Sequence, residues 1–451
     1  MKNMFVSSVR FTALCLGFFF NASVLFAQAE SQCLVYSHDA APHATTKLKT
    51  KTIASRGGRY DLSWLDKAIK SKKVLMLGEN HWMTSIRDME EEIVFYANEK
   101  SSFPVLVLES SYSSTPYYNA YINCQPGEDC DQYLEILKPV VTSRESVEML
   151  KRLQQWNATH PDKKITIACS DVEQDLAFTL HNTIVPYFRA LGDKKLFAMI
   201  NKEQQFTDAI VAYMDSAVQH SPADLKVSDR PFLDKRFLQN VVENFRIRYD
   251  ASSASQKQGG AAFEALFFPA RQKQIIKNLT DDAIFGQLIK EHNSIFIGGA
   301  SHFRIYQSGY GDEDVVNWEG WHLANEYAPT KGKVYSIKLI NLSYNLPEAY
   351  MQQEYETDNL GIKYLIAGYK SCFANGKAPG YKIIDGLTEV TTAIVPSFKQ
   401  NQDQPVRLQG NTEMKKLLRR SATVTEDVNW QNFYAHDVVV VLPTATLFNM
   451  L

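Results

Sequence analysis

Two copies of Gly-x-x-His stand far apart in this chain, each at the end of an apolar run. They are Val74-Leu75-Met76-Leu77-Gly78-Glu79-Asn80-His81 and Ser294-Ile295-Phe296-Ile297-Gly298-Gly299-Ala300-Ser301-His302. Two more apolar runs end in ionisable groups, Val105 to Leu108 in Glu109 and Ile165 to Cys169 in Ser170-Asp171. Imidazoles with carboxylates suit two chemistries. They bind a divalent transition metal that acidifies a bound water, with Glu79, His81 and His302 as candidate ligands. Alternatively, one histidine takes a proton from water directly, oriented by a carboxylate, while the other holds the substrate or the developing oxyanion. If the chain stays extended from Glu79 to His81, the two side chains share a face about 7 Å apart at Cα. A substrate atom, a water or a metal then fits between their tips. Each residue also has a structural reading: Glu109 and Asp171 as helix caps, His302 as a satisfied core histidine, Glu79 as an arginine's partner. Four such endings in one pattern point to a shared site.

Other residues carry weaker signals. Trp82 and Tyr112, with Tyr117, Tyr118 and Tyr121, follow strand ends and suit either an apolar substrate pocket or aromatic packing. Arg271 and Lys273 suit a substrate carboxylate or phosphate, or a solvated helix face. His292 precedes the fourth strand, at the end away from the site, and reads as structural. The chain holds no G-x-S-x-G elbow, no H-E-x-x-H and no phosphate-binding glycine loop.

The elements that must position these groups read as α/β. The runs Val74 to Leu77, Val105 to Leu108, Ile165 to Cys169 and Ile295 to Ile297 have the length and composition of buried parallel strands, followed by Val334 to Ile340 and Val438 to Leu442. In open α/β sheets, chemistry collects beyond the carboxyl ends of the strands, where these residues would lie. Helices are expected over Leu62 to Ile69 and after His81. In the latter, Ile86, Met89, Ile93 and Ala97 form an apolar face, and Arg87, Asp88 and Glu90 to Glu92 mostly a wet one. Another helix opens near Thr142, with Glu145 at capping-box spacing, and runs to Trp156. Residues 174–290 read almost entirely as helix, with no strand-like run and with Pro186 and Pro269 as kinks or boundaries. This stretch is too long for one crossover and is read as an insertion over the carboxyl ends of the strands. The fold expected is therefore a mostly parallel central sheet flanked by helices, with a large helical insertion.

With 451 residues, 45% of them hydrophobic, the chain can bury a large core, and a net charge of −2 with dispersed Lys and Arg gives no footprint for nucleic acid. Residues 1–29 read as a signal peptide: Lys2 and Arg10, an apolar stretch from Phe11 to Phe26, then Ala27-Gln28-Ala29. Residues 30–58 read as an N-terminal arm and 59–451 as one α/β domain. The mature chain is expected to be periplasmic or secreted, off the membrane, with a small-molecule substrate. Export permits disulfides. Cys124 and Cys130 flank a turn-rich loop that a disulfide would close, Cys33 with Cys372 is a further pairing to consider, and Cys169 reads as a small buried residue. The sequons at Asn157, Asn278 and Asn341 matter only in a glycosylating host.

At its motifs the chain resembles the superfamily that groups erythromycin esterases, Tiki and TraB-type proteins and ChaN-like haem-binding proteins. The resemblance rests on Gly78-Glu79-Asn80-His81 and Gly299-Ala300-Ser301-His302. The order of Val107-Leu108-Glu109, a helix ending in Trp156-Asn157, Asp171, a helical segment reaching Arg271 to Leu279, and the run His436 to Val441 looks most like the erythromycin esterase branch. The motif ending in His302-Phe303 is closer to the Tiki and ChaN style, and residues 344–411 have no counterpart. The resemblance implies a hydrolase acting on an ester, lactone or amide. His81 would be the general base, Glu79 and Glu109 would orient it, His302 would complete the catalytic floor, and Arg271 and Asp171 would lie at the substrate. After these it implies two alternatives, a metal-dependent Tiki-like hydrolase as a close variant and, as runner-up, a haem- or iron-binding protein with His81 or His302 as axial ligand.

Overall fold

A computed structural model of the chain describes residues 49–53, 55–56, 59–79, 81, 83–125, 127–141, 143–203, 206–228, 230–306, 317–344, 406–409 and 436–445. The expected signal peptide, Trp82 and most of residues 344–411 lie outside them, as do Cys33 and Cys372. In chain order the strands are β1 (Lys49–Thr52), β2 (Ser55–Arg56), β3 (Arg59–Tyr60), β4 (Val74–Glu79), β5 (Val105–Ser111), β6 (Thr166–Asp171), β7 (Ser294–Gly299), β8 (Val334–Tyr344), β9 (Val406–Gln409) and β10 (Val438–Ala445). Among the described residues, eight of them form one sheet in the order β1-β9-β10-β8-β4-β7-β5-β6, and β2 pairs with β3 in a separate ribbon. The run from β10 to β6 is parallel throughout, while β9 and β1 add antiparallel at one edge. The segment read as an arm therefore supplies an edge strand.

All six residues of β4 and of β7 are buried, as expected of strands covered on both faces. One face (Leu75, Leu77, Leu106, Ile295, Ile297) packs on Ile86, Met89 and Ile93 of the Thr84–Ser101 helix and Leu150 and Leu153 of the Arg144–Thr159 helix. The other (Val74, Met76, Val105, Val107, Phe296) packs on Ile275 and Leu279 of the Gly260–Thr280 helix. Strand alternation thus sends Glu79 toward the first layer and Glu109 toward the second.

Among the described residues, the stretch read as an insertion is built of successive helices between Leu176 and Glu291, with turns between them, and has a core of its own, including Tyr187, Phe188, Leu238 and Phe245. Pro186 falls in the first turn of the Val185–Ala190 helix and Pro269 inside the Gly260–Thr280 helix. A buried amide network ties this unit to the sheet: Asn278 Nδ2 donates to the Ser170 carbonyl at 2.9 Å and to Asn244 Oδ1 at 3.1 Å.

Two expectations about helices need correction. The Arg144–Thr159 helix is capped by Ser143, whose hydroxyl accepts from Ser146 N, one residue after the expected Thr142. The wet face expected on the Thr84–Ser101 helix is not wet at two positions: Glu90 is 0% exposed and Glu91 3%. Each pairs with an arginine, Arg87 and Arg152 respectively, so charge neutralisation overrides the amphipathic pattern. Cys124 and Cys130 form the expected disulfide, and Cys169 is free and buried, its thiol pushed up to about 12 chiefly by that burial.

Close packing at the strand ends explains the first motif glycine. A Cβ on Gly78 would lie 2.9 Å from Ala300 Cα, which is backbone and cannot swing away. Gly78→Ala should lower the unfolding free energy by about 1–3 kcal/mol. Chemical denaturation checks this, and an unchanged midpoint would show that the β4 end relaxes freely.

Candidate functional site

The structure brings Glu79, His81, Glu109, Asp171, Arg271 and His302 together at the carboxyl ends of the strands. β7 lies between β4 and β5, so Glu79 and Glu109 flank its last residues. Those residues are Gly298 and Gly299. A Cβ on the first would sit 2.8 Å from Glu109 Oε2, and one on the second 3.2 Å from His81 Nε2. The missing side chains let the Glu109 carboxylate and the His81 ring approach one another over the end of β7.

His81 does not continue the strand. β4 ends at Glu79, the chain turns, and His81 Nδ1 comes to 3.0 Å from Glu79 Oε1. This corrects the expected gap between the two tips: they are hydrogen-bonded, and nothing fits between them. His81 Nε2 lies 4.0 Å from Glu109 Oε2, and the ring is 47% exposed. Burial opposes its charge, but the Glu79 hydrogen bond and the charges of Glu109 and Glu79 outweigh this and lift its pKa to about 9. Glu79 is held below the usual carboxylate range. Burial resists this, and Arg87 with His81 overcomes it; Arg87 Nη2 lies 3.7 Å from Glu79 Oε2.

Glu109 stands at the centre. Its Oε2 accepts from Gly299 N at 2.6 Å, and its Oε1 faces Arg271 Nη2 and lies 3.2 Å from His302 Nε2. Burial alone would raise its pKa, but His302, Arg271 and His81 hold it ionised, far below the ordinary value. Arg271 also forks onto Asp171, with Nε to Oδ1 and Nη2 to Oδ2 both 2.8 Å. Such bidentate geometry fixes the guanidinium plane. Asp171, 2% exposed, further accepts from Val172 N and Gln174 Nε2, each at 2.8 Å.

His302 sits on the turn after β7, 5% exposed, with Nδ1 at 2.9 Å from Glu319 Oε1. Its Nε2 is 3.2 Å from both Glu109 Oε1 and Arg271 Nη1. Burial opposes protonation here too, but the adjoining Glu109 and Glu319 charges raise the pKa. Trp318 meets the His302 ring edge to face at 4.6 Å, and Gln272 Nε2 donates to Glu319 Oε2.

A cleft of about 190 Å³ opens beside this cluster, lined by Glu79, His81, Arg87, Glu109, Tyr118 and Ser143, among others. Its far wall includes Ser146, Met149, Leu150 and Leu153 of the Arg144–Thr159 helix. Among the described residues, no residue of the insertion lines this cleft. The insertion supplies Arg271 from behind the strand ends, because the Gly260–Thr280 helix packs on the opposite face of the sheet.

Three expected substrate contacts are corrected. Tyr112 is 6% exposed inside the insertion's core, its ring 5.1 Å from Phe237 and 5.4 Å from Phe285. Asp171 is closed off by Arg271, so it acts on the site only through that arginine. Arg271 itself, 8% exposed and forked between two carboxylates, is a structural cation rather than an open anion receptor. Lys273, by contrast, takes no part in the cluster. Arg87, Glu90, Gln272 and Glu319 were not found from sequence, whereas Tyr118, read there as suiting a pocket or aromatic packing, does line the cleft. For Arg87 and Glu90 the available signal was the i,i+3 spacing of opposite charges directly after a Gly-x-x-His motif.

Neither proposed cofactor suits these donors. Glu79 and His81 are bonded to each other, both His302 nitrogens are engaged, and the Arg271 guanidinium occupies the space between Glu109 and Asp171. A divalent cation there would meet a fixed positive charge. Among the described residues, no three His, Cys, Asp or Glu side chains are arranged to hold a metal ion. An axial haem ligand needs an imidazole nitrogen free of other partners; both His302 nitrogens are engaged, and His81 Nε2 opens onto the narrow cleft that it shares with the Glu109 carboxylate.

No family model matches the sequence, and neither does any curated protein. Solved structures give fold-level likenesses. An erythromycin esterase mutant in its open conformation is 11% identical, covering 88% of this chain and 98% of its own, with a TM-score of 0.49. A Bacillus cereus protein is 15% identical over 86% of this chain and 93% of its own, at 0.45. The haem-binding ChaN of Campylobacter jejuni is 10% identical over 62% and 87%, at 0.26. No substrate or cofactor follows from likenesses at this level.

Proposed function

We propose that the mature chain is an exported hydrolase that cleaves an ester, lactone or amide bond by activating water, with His81 as the general base. One observation carries this reading: a half-exposed imidazole at a cleft mouth, its Nδ1 held by buried Glu79 and its Nε2 turned toward Glu109. A histidine whose Nδ1–H is fixed by a carboxylate presents its other nitrogen in one tautomer and one direction. Water beside Nε2 gives its proton to that nitrogen as its oxygen bonds to the carbonyl carbon. The imidazolium then returns the proton to the departing oxygen or nitrogen as the scissile bond breaks. Glu109, kept ionised by Arg271 and Gly299 N, stabilises the imidazolium. Arg87, lining the same cleft, keeps Glu79 ionised as the partner of the base. Export is supported by the leader-like N-terminus and the Cys124–Cys130 disulfide. Among the described residues, no helix is long and apolar enough to cross a membrane.

The raised pKa of His81 sets the pH dependence. With a pKa of about 9 the ring is mostly protonated at neutral pH, and only the minor neutral form accepts a proton. For a neutral ester such as p-nitrophenyl acetate, kcat/KM above background should climb about tenfold per pH unit and level off above pH 9. A rate that instead falls above that pH would make His81 an acid rather than a base.

A further inference from the structure

Behind Glu79 lies a second carboxyl that the water-activation scheme does not use. Glu90, on the Thr84–Ser101 helix, is 0% exposed, and its Oε2 is 3.0 Å from Arg87 Nη1. The same guanidinium reaches Glu79 through Nη2. The two carboxyl groups are within hydrogen-bonding reach of each other. Yet, among the described residues, no N–H or hydroxyl donates a hydrogen bond to the buried Glu79 Oε2 and Glu90 Oε1.

Two carboxylates are acceptors only and cannot bond to each other. A single proton between them gives each orphaned oxygen a partner and removes one buried negative charge. Its location follows from the neighbours. Glu79 touches two cationic groups, Arg87 and His81, and so keeps its charge. Glu90 has Arg87 alone and no exposure to water. The other ionisable groups facing Arg87 are Glu91 on the same helix and Tyr118 from the Thr115–Ile122 helix; neither supplies a compensating cation.

We infer that Glu90 is a positioning residue held as the neutral acid, whose O–H donates to the Glu79 carboxylate and fixes it for His81 Nδ1–H. This deepens the water-activation reading, because it explains what locks the partner of the base. Burial and the Glu79 charge push the Glu90 pKa well above the ordinary carboxyl value, in the same direction. The pair shares one proton, so its two titrations belong jointly to it.

The test needs no turnover, so its failure is distinguishable from failure of the hydrolase reading. Infrared difference spectra of the full chain, wild type minus Glu90→Gln at pH 7, should show loss of a carboxylic-acid carbonyl band. In the same two proteins, the His81 ring nitrogens should titrate at the same pH by nitrogen-15 NMR, since the amide replaces one neutral donor with another. In Glu90→Leu the donor to Glu79 is gone. The acid inflection of the His81 Nδ1 resonance, which reports Glu79, should then move up by about one pH unit or more. Loss of a carboxylate band rather than an acid band in Glu90→Gln overturns the inference. So does a His81 titration that shifts downward in Glu90→Gln, as removal of a nearby anion would cause. Should the leucine variant fail to fold, the glutamine variant still decides.

Discussion

His81→Gln should reduce ester hydrolysis by about 10²–10⁴-fold, the range expected for a positioned acid–base group. The glutamine keeps a donor toward Glu79 but has no nitrogen that takes up a proton. Its stability should differ from wild type in a pH-dependent way. Folding raises the His81 pKa from 6.5 to about 9, so the stabilisation is fully present below pH 6.5 and lost as pH rises through 9. The variant should therefore unfold more readily than wild type at pH 6 and alike at pH 10. Because the ring is 47% exposed, solvent screening keeps the difference small. Steady-state kinetics with thermal unfolding at both pH values checks this. Full activity in a folded variant would remove His81 from the chemistry.

Arg271→Met should cost about 3–5 kcal/mol of stability at pH 7, the range for removing one partner from a buried ionic cluster. Methionine fills much of the arginine volume but leaves Glu109 and Asp171 facing each other without their shared cation. The pH dependence has a definite sign. In the wild type the Glu109 pKa is depressed, so its stabilisation is present above the ordinary glutamate range and lost as pH falls through the folded value. Without Arg271 the carboxyl titrates higher, and the penalty should shrink as the medium is acidified. Adding Glu109→Gln and Asp171→Asn to the same chain should recover most of the loss at pH 7. Denaturant titration measures all three proteins. A penalty under about 1 kcal/mol for Arg271→Met alone would mean that the carboxylates are neutralised by other groups.

The wrong expectations share a cause with the right ones. Periodicity and strand length located β4, β5, β6 and β7 because burial on both faces demands continuous apolar runs, and the polar residues that end them stood out. The same logic put Glu90 and Glu91 on a wet face, since a helix pattern cannot record that an arginine three residues back, or on another helix, neutralises a carboxylate. Tyr112 looked like a pocket residue because it follows a strand end. Only the packing of the insertion shows that this strand end is capped by Phe237 and Phe285.

By itself, the sequence determined the parallel α/β class, the helical insertion, the Cys124–Cys130 pairing and the four strand-end residues Glu79, His81, Glu109 and His302. These follow from local rules: the side-chain period of strands and helices, glycine at tight approaches, and cysteines across a turn-rich loop. Tertiary structure alone decided which charges meet. That β7 inserts between β4 and β5 makes Gly298 and Gly299 the ground over which His81 and Glu109 converge. The helix carrying Arg271 packs on the far face, so this arginine becomes a buried counter-ion for a carboxylate 162 residues away along the chain. Electrostatic pairing depends on distance in space, and strand order, which sets that distance here, is not encoded in any local pattern.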